Sequence, residues 1–273
     1  MNGRLRFQSF QTEFARSQGE SEFPGLWRGL ETIHSPALGI QGRKIFDTKQ
    51  KLDSSFDTGM LSNDAAWKDG VFNGNSIYYD GSSNCRTSTI SRTWGFSVNC
   101  SICAWIRTTD SDSCIVSLGR GDAVDEALLF VNTSKATIFN HKALSNYSFR
   151  SSDTSIDNGK WNFVVGCING DYTNLKIFVN GKQETGTYGE VGSPSDISDS
   201  TARILRFGGR VIVTTQTENF VGNIGDVLVY SRVLSNQEIT QLYYGQTPLV
   251  KKLRRNKINL SPEGENCFGQ ILD

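Results

Sequence analysis

The sequence predicts an all-β protein built as an antiparallel sandwich or barrel. Between Ser76 and about Tyr244, short runs of alternating apolar and polar residues are separated by clusters of Gly, Asn, Asp and Ser. The length of 273 residues suits one large β domain with extensions. We therefore expect a domain over 71–246, between an irregular N-terminal arm (1–70) and an irregular C-terminal tail (247–273).

A clear example of the alternation is FSVNCSICAWIRT, residues 96–108. Its odd positions are mixed and include Cys103 and Trp105, whereas its even positions form one apolar face. We expect a strand half-buried in a core. The apolar positions are Phe96, Val98, Cys100, Ile102, Ala104 and Ile106.

We expect the cysteines to be free thiols. Cys100 and Cys103 form a C-x-x-C, but residues three apart on a strand point to opposite faces, which suits neither a disulfide nor a shared metal site. No second C-x-x-C or histidine pair follows, so we interpret these side chains as small apolar residues. The six cysteines are Cys85, Cys100, Cys103, Cys114, Cys167 and Cys267.

Two further runs predict a hairpin. KWNFVVGCING alternates over 161–167, and NLKIFVNGK alternates over 175–179, with a polar segment between them. Asn180 and Gly181 follow directly, and this pair favours the positive φ angles of a tight turn. The chain is therefore expected to fold back again at that point.

The last strand is predicted in FVGNIGDVLVYSRVLS. Both of its faces carry apolar residues, so we expect both to be covered. Strict alternation places Ile224, Asp226, Leu228 and Tyr230 on one face and Gly225, Val227 and Val229 on the other.

A short helix is predicted after this strand. Ser235 and Glu238 have the spacing of a capping box, and Gly245 is placed to stop the helix after about two turns. One short helix therefore closes the all-β unit.

Together these motifs resemble the laminin-G-like, concanavalin A-like jelly-roll domains. In those families a Trp opens a strand, an x-V-N/D-G hairpin follows, and the ending reads G-x-I-D-D-V-x-I-Y-x-R-x-L-S-x-x-E-I. Here NGKWNFVVGCINGDYTNLKIFVNGKQ and FVGNIGDVLVYSRVLSNQEITQLYYG match in that order, after SIYYDGSSNCRTS and FSVNCSICAWIRT, so the similarity spans about residues 70–245. It implies a two-sheet antiparallel jelly-roll sandwich. The residues that match the ending are Asp226, Tyr230, Arg232, Leu234, Ser235, Glu238 and Ile239.

The overall charge argues against nucleic acid and membrane as partners. There are 28 basic and 28 acidic side chains, the sequence pI is about 6.7, and no apolar stretch reaches the roughly 18 residues that span a bilayer. A basic run in the tail contains Lys251, Lys252, Arg254 and Arg255. Because no aromatic residues are interleaved with it, we expect this run to dock on a protein partner.

Catalysis is not expected, although the superfamily includes glycoside hydrolases. Retaining hydrolysis needs two carboxyl groups about 5 Å apart, and hydrolases of this fold carry Glu-x-Asp-x-x-Glu. No Glu-x-Asp occurs in this chain, and its two histidines, His34 and His141, lie far apart in sequence. A glycoside hydrolase is therefore only the third hypothesis.

Binding residues are predicted at a loop rim, where laminin-G-like domains often hold Ca²⁺ and sugar or protein ligands. The acidic candidates for that rim lie in loops that flank one strand, and an alternative interpretation is that they are solvated turn residues. Two tyrosines are separate candidates for stacking on sugars. The candidates are Asp110, Asp112, Asp122, Asp125, Tyr147 and Tyr188, with Glu126 beside the acidic group.

The lead-in LWRGLETIHSPALGIQGRKIFDTK resembles that of laminin-G-like proteins encoded among the structural genes of tailed bacteriophages. This resemblance implies a non-enzymatic virion structural protein, a capsid- or tail-associated decoration protein or adhesin. In that hypothesis Trp27 and Arg28 dock on virion subunits or on a second copy; in the alternative, the lead-in covers the chain's own sandwich. Because residues 1–18 lack a secretory signal, we expect assembly in the host cytoplasm and localisation in the virion.

The second hypothesis is a free lectin-like module that binds cell-surface glycan, with or without Ca²⁺.

Overall fold

The protein is described from a computed structural model. The described residues are 21, 23–34, 36, 44–45, 54–55, 67–69, 75–81, 91–92, 99–119, 126–197, 203–212 and 215–244. The predicted docking residues Lys251, Lys252, Arg254 and Arg255 lie outside them, as do Asp122 and Asp125.

The described residues form strands and short helices. The helices are α1 (Pro24–Trp27) and α2 (Asn236–Tyr244). The strands are β1 (Leu30–His34), β2 (Lys44–Ile45), β3 (Ser54–Ser55), β4 (Trp67–Asp69), β5 (Asn75–Asp80), β6 (Ser91–Arg92), β7 (Asn99–Thr108), β8 (Asp112–Gly119), β9 (Glu126–Asn132), β10 (Lys135–Ala143), β11 (Asn146–Ser155), β12 (Trp161–Asn169), β13 (Leu175–Val179), β14 (Lys182–Glu184), β15 (Thr187–Val191), β16 (Arg203–Phe207), β17 (Arg210–Ile212), β18 (Thr215–Thr217) and β19 (Val221–Tyr230). Within these residues, no helix is long and apolar enough to cross a membrane.

Most strands belong to two antiparallel sheets. The eight-stranded sheet has the order β14-β13-β12-β7-β19-β5-β4, and β1 pairs with β19 beyond the part of β19 that pairs with β5. The seven-stranded sheet has the order β15-β11-β10-β9-β8-β16-β6. The other four strands form two small two-stranded sheets, β17–β18 and β2–β3. The prediction of an all-β, two-sheet jelly-roll sandwich with a short C-terminal helix is confirmed.

The main core lies between the two sheets. Strand β7 contributes Cys100, Ile102, Ala104 and Ile106 to it, which confirms the even-position prediction for these residues. Cys103 belongs to a different cluster on the opposite face of the sheet. Of the six cysteines, the four in the described residues are buried free thiols, as expected.

The predicted hairpin forms as β12 and β13, and a tight turn follows it. Asn180 has φ 51° and Gly181 has φ 81°, the left-handed angles that Asn-Gly favours. The Asn180 side chain also accepts a hydrogen bond from the backbone N–H of Phe163, at 2.9 Å. The turn is thereby fixed to β12, the first strand of the hairpin.

A bulge in β19 corrects one face assignment. The register of β19 against β7 shifts between Ile224 and Val227, so Ile224 joins Val227 and Val229 in the main core. Leu228 and Tyr230 face the other way. The strict alternation that grouped Ile224 with Leu228 was wrong, because the extra residue of a bulge inverts the pattern beyond it.

A second core covers the outer face of the eight-stranded sheet and includes the lead-in. Trp27 is only 3% exposed and packs in one cluster with Leu26, Leu30, Phe163 and Tyr230. The prediction that Trp27 docks on a neighbouring subunit is therefore wrong, because its side chain is buried against the chain's own sheet. Residues 24–34 of the predicted irregular arm form α1 and β1 of the sandwich.

Arg232 joins the lead-in to the C-terminal helix. Its Nε donates to the Arg28 carbonyl at 2.7 Å, and its Nη2 donates to the Gly25 carbonyl at 2.9 Å and to Glu238 Oε1 at 2.6 Å. Glu238 also forms the predicted capping box, since Ser235 N donates to Glu238 Oε2 at 2.8 Å and Glu238 N donates to Ser235 Oγ at 3.2 Å. Arg28 therefore takes part in the fold through its backbone.

Candidate functional site

Aromatic rings lie together on the outer face of the seven-stranded sheet, the face directed away from the main core. They come from alternate positions of β9, β10 and β11, while residues between them, such as Leu129 and Ile138, point into the main core. This group, called the aromatic face below, consists of Phe130, Phe139, His141, Tyr147 and Phe149.

The rings form a continuous set of contacts across the three strands. Phe139 lies at its centre, with ring centroids 5.7 Å from Phe130, 5.7 Å from Phe149 and 5.8 Å from Tyr147. His141 and Tyr147 stack at 4.5 Å and an interplanar angle of 11°. Phe139, Tyr147 and Phe149 are half-buried, so parts of their rings remain open to a ligand.

The neighbouring strand β15 extends this surface. A Cβ on Gly189 would lie 2.5 Å from Cζ of Phe149, so only glycine allows the Phe149 ring to lie this close to β15. Val191, which pairs with Tyr147, and Leu144 of the β10–β11 turn are exposed. The edge of the aromatic face is therefore apolar as well.

A charged cluster lies beside the aromatic face. Arg210 forms ion pairs with Glu126, at 3.4 Å, and with Glu218, at 3.3 Å. Arg206 is also nearly buried and alternates with Leu205 and Phe207 of the main core, which places it on the outer face. Glu126, Arg206, Arg210 and Glu218 are called the charged cluster below.

The charged cluster adjoins the aromatic face near His141 and near Phe130. Glu126 is directly opposite His141 in the β9–β10 register. The Glu218 carbonyl accepts a hydrogen bond from Cys114 N at 2.9 Å, and Cys114 is opposite Phe130 in the β8–β9 register. Glu126 therefore lies beside the His141 end of the aromatic face, and the backbone of Glu218 lies beside the Phe130 end.

Burial controls the protonation of this region. Burial, together with the smaller effect of the nearby Arg210 guanidinium, lowers the pKa of His141 to about 3, so the imidazole is neutral at neutral pH. Burial also raises the pKa of Glu218, an effect that the Arg210 guanidinium opposes. Glu218 has a φ of 54°, and such left-handed angles in residues other than glycine occur often at functional sites.

Polar atoms in this region lack hydrogen-bond partners in the described part of the chain. Ser117 Oγ and Arg210 Nε are both buried and unbonded there. Ser117 pairs with Leu128 on one side and Arg206 on the other, so its hydroxyl belongs to the outer face. Both atoms are buried, so they are unsatisfied hydrogen-bonding groups beneath this surface.

Tyr147 and Glu126 are the predicted residues that the structure brings into this site, Tyr147 in the aromatic face and Glu126 in the charged cluster. Tyr188 lies on the other side of the seven-stranded sheet, packs against the main core and donates its hydroxyl to Glu190, so the two tyrosines do not form one rim. Burial, followed by the hydrogen bond to Glu190, raises the pKa of Tyr188.

The predicted acidic rim is only partly described. Asp110 and Asp112 lie at the β7–β8 turn, where Asp110 Oδ1 accepts a weak hydrogen bond from Asp112 N at 3.3 Å. Within the described ranges, no three His, Cys, Asp or Glu side chains are grouped so that they could hold a metal ion. The calcium hypothesis therefore has no support from Asp110 and Asp112.

Phe139, His141 and Phe149 were missed by the sequence reasoning. A signal was present, because IFNHKALSNYSF carries aromatic or imidazole rings at 139 and 141 and again at 147 and 149, a spacing of two in each run. The charged cluster gives no such signal, since Glu126, Arg210 and Glu218 come from segments that are distant in sequence.

Comparison with protein families gives one match over most of the described domain. Residues 62–240 match the model of Laminin_G_3, described as the concanavalin A-like lectin/glucanases superfamily. No curated protein sequence matches the chain.

Three of the solved structures with a similar fold are sugar-bound or binding domains of larger proteins. The binding domain of Paraclostridial Mosquitocidal Protein 1 has a TM-score of 0.55 at 13% identity, covering 81% of this chain and 53% of that one. Domain 4 of AbnA, a Geobacillus stearothermophilus arabinanase, in complex with arabinotriose, has a TM-score of 0.54 at 16% identity, covering 78% and 98%. The ligand-binding domain of botulinum neurotoxin serotype D, in complex with N-acetylneuraminic acid, has a TM-score of 0.54 at 17% identity, covering 82% and 52%. At these identities the likeness is one of fold.

Proposed function

Because the chain belongs to the Laminin_G_3 family of the concanavalin A-like lectin/glucanases superfamily, we propose that it is a non-catalytic, lectin-like module that binds glycan on its aromatic face. The observation that carries this proposal is the position of half-buried rings directly beside a buried polar cluster. A sugar has apolar C–H faces, which pack on aromatic rings, and hydroxyl groups, which need hydrogen-bond partners. The aromatic face and the charged cluster offer both kinds of contact.

The aromatic face is rigid before a ligand arrives. Tyr147 is held by its stack with His141 and by Phe139, so little side-chain entropy is lost when a sugar packs on it. The AbnA domain and the neurotoxin domain of similar fold are both complexed with sugars, which supports the same class of ligand for this chain.

A binding role without catalysis agrees with the use of the carboxylates. The carboxylates of Glu126 and Glu218 both form ion pairs with the Arg210 guanidinium. A glycosidase needs its two carboxyl groups free to face the scissile bond, one of them as the acid. We therefore retain the proposal that the protein is not an enzyme.

Replacement of Tyr147 by alanine is expected to weaken glycan binding by about tenfold, the equivalent of about 1.4 kcal/mol, because it removes a preformed stacking surface. The measurement is titration calorimetry with a glycan first identified on an array. Tyr244→Ala is the matched control, since Tyr244 is 63% exposed on α2, away from the aromatic face. Equal losses in the two variants, or no binding of any array glycan by folded protein, would argue against the proposal.

The virion role and host-cytoplasmic assembly stay predictions, supported by the resemblance of the lead-in. Since Trp27 is buried in the chain's own second core, docking on virion subunits or on a second copy would use other residues. The gene neighbourhood tests this role. Portal, capsid or tail genes beside it would support a virion protein, and a sugar-utilisation locus would exclude one.

A further inference from the structure

We propose that a second carbohydrate-binding surface lies on the outer face of the eight-stranded sheet, on the opposite side of the sandwich from the aromatic face. The inference rests on the proposed function for its class of ligand, a sugar, and goes beyond it because one molecule would then hold two glycans. This surface, called the tryptophan surface below, consists of Tyr78, Trp105, Arg107, Trp161 and Asn223.

The strand register places these side chains next to one another. Trp161 of β12 pairs with Arg107 of β7, and Arg107 pairs with Asn223 of β19. Asn223 in turn pairs with Tyr78 of β5. Trp105 lies two residues before Arg107 on β7, so it shares the same face. Because β1 pairs with the part of β19 that follows the bulge, the lead-in lies towards the other end of this face.

Trp161 is a large aromatic side chain that is not part of a core. It is half-buried, and among the described residues it belongs to neither the main core nor the second core. The Arg107 guanidinium lies over its ring, with Cζ 5.5 Å from the ring centroid. Core packing therefore does not account for this tryptophan, whereas a ring that is partly open to solvent suits stacking on a sugar.

Trp105 is held in a fixed orientation beside Trp161. Its ring stacks with Tyr243 at 5.7 Å and an interplanar angle of 21°, and it lies 5.1 Å from the ring of Phe163. A Cβ on Gly225 would lie 3.2 Å from Cβ of Trp105 and 3.7 Å from Cζ3 of Trp161. A larger side chain at that position would push the rings apart, so Gly225 lets the two tryptophans form one surface over β19.

Polar groups beside these rings can bind sugar hydroxyls. Arg107 donates from Nε and Nη2 to Asn223 Oδ1, at 3.4 and 3.2 Å, and Asn223 Nδ2 donates to Ser76 Oγ at 3.0 Å. In the described part of the chain, the side-chain contacts of Arg107 use neither Nη1 nor a carboxylate partner. The guanidinium is therefore fixed in place and keeps hydrogens that can donate to a sugar stacked beside it.

Two binding surfaces on opposite sides would make one protein molecule a cross-linker of glycans. The aromatic face and the tryptophan surface belong to different sheets, and the main core lies between these sheets. A short oligosaccharide cannot reach both surfaces at once, so each surface would take its own glycan chain. Binding to a surface that carries many glycans would then depend on both sites.

The test is an NMR titration of the ¹⁵N-labelled full chain with lactose, arabinotriose, α2,3-sialyllactose and the tightest-binding array glycan. Backbone amides and tryptophan indole N–H signals are followed together. We expect a separate set of shift changes at Trp105, Arg107 and Trp161, in addition to the set at the aromatic face.

Variants assign each set of shift changes to its surface. Trp161→Ala should weaken binding at the tryptophan surface at least about tenfold and leave the aromatic face unchanged, whereas Tyr147→Ala should do the reverse. Arg107→Gln, which removes the guanidinium and keeps a polar side chain, should weaken the tryptophan surface several-fold. Gln183→Ala is the matched control, since Gln183 is exposed on the edge strand β14 of the same sheet.

Agglutination of glycan-coated beads by monomeric protein is the independent measurement, and Trp161→Ala and Tyr147→Ala should each abolish it. Shift changes at the aromatic face alone would overturn this inference and leave the proposed function standing. Shift changes at the tryptophan surface alone would support this inference and contradict the proposed site on the aromatic face. Absence of binding to every array glycan by folded protein would overturn both.

Discussion

Replacing Trp27 by alanine is expected to lower the free energy of unfolding by about 3–5 kcal/mol, the cost of removing a large aromatic side chain from a packed core. Trp27 is 3% exposed and packs between the lead-in and the outer face of the eight-stranded sheet. The loss should appear in equilibrium urea unfolding as a lower midpoint with an unchanged slope.

Arg28→Ala is the control for Trp27→Ala. The Arg28 side chain is exposed and its structural contact is made by its backbone carbonyl, so we expect a change within about 0.5 kcal/mol. A loss below about 1 kcal/mol for Trp27→Ala would mean that the side chain is not part of this core, and it would restore the interpretation that Trp27 docks on a partner.

Replacing Arg232 by methionine is expected to lower the free energy of unfolding by about 2–3 kcal/mol. The variant keeps much of the apolar stem but leaves the Gly25 and Arg28 carbonyls at the end of α1 and the Glu238 carboxylate without their shared donor. Both side chains of the ion pair are 20% exposed, so water compensates part of the loss. Urea unfolding of Arg232→Met, Glu238→Gln and the double variant gives the coupling energy. Strictly additive losses would contradict a direct interaction.

The same ion pair gives a pH dependence with a defined sign. Partial burial alone would raise the pKa of Glu238, but hydrogen bonds from Arg232 and Ser235 outweigh burial and lower the pKa from the ordinary 4.5 to about 2. A pKa that is lower in the folded state contributes stability that is present above about pH 4.5 and is lost as the pH falls through about 2. In Arg232→Met this loss of stability between about pH 5 and 2 should become smaller.

The fold was predictable where alternation is regular, and less so where geometry departs from it. The alternation of β7 correctly assigned Cys100 and Ile102 to the core, and Asn180-Gly181 marked a turn that forms. The bulge in β19 inverted the assignment of Ile224, since an inserted residue has no fixed signature in sequence. Trp27 looked like part of an irregular arm because one turn of helix and one strand leave little periodicity to detect.

Of the candidate site, the sequence analysis put forward Tyr147 and Glu126 and missed the other residues. Tyr147 and Tyr188 were both candidates for stacking on sugars, but they occupy opposite faces of the sheet, and the face depends on the strand register. Arg210, Glu126 and Glu218 converge only through the strand order β9-β8-β16 and the hairpin that follows β16. Long-range pairing of this kind cannot be read from local spacing, so the charged cluster became visible only in the folded chain.

Glycan is proposed to bind on the aromatic face of the seven-stranded sheet. The most direct measurement is a two-dimensional NMR titration of the ¹⁵N-labelled protein with the tightest-binding array glycan. We predict that the largest amide shift changes fall in β10 and β11, around Phe139, His141, Tyr147 and Phe149, with further changes at Glu218. Shift changes confined to α1, α2 and the outer face of the eight-stranded sheet would place the glycan elsewhere and contradict the claim.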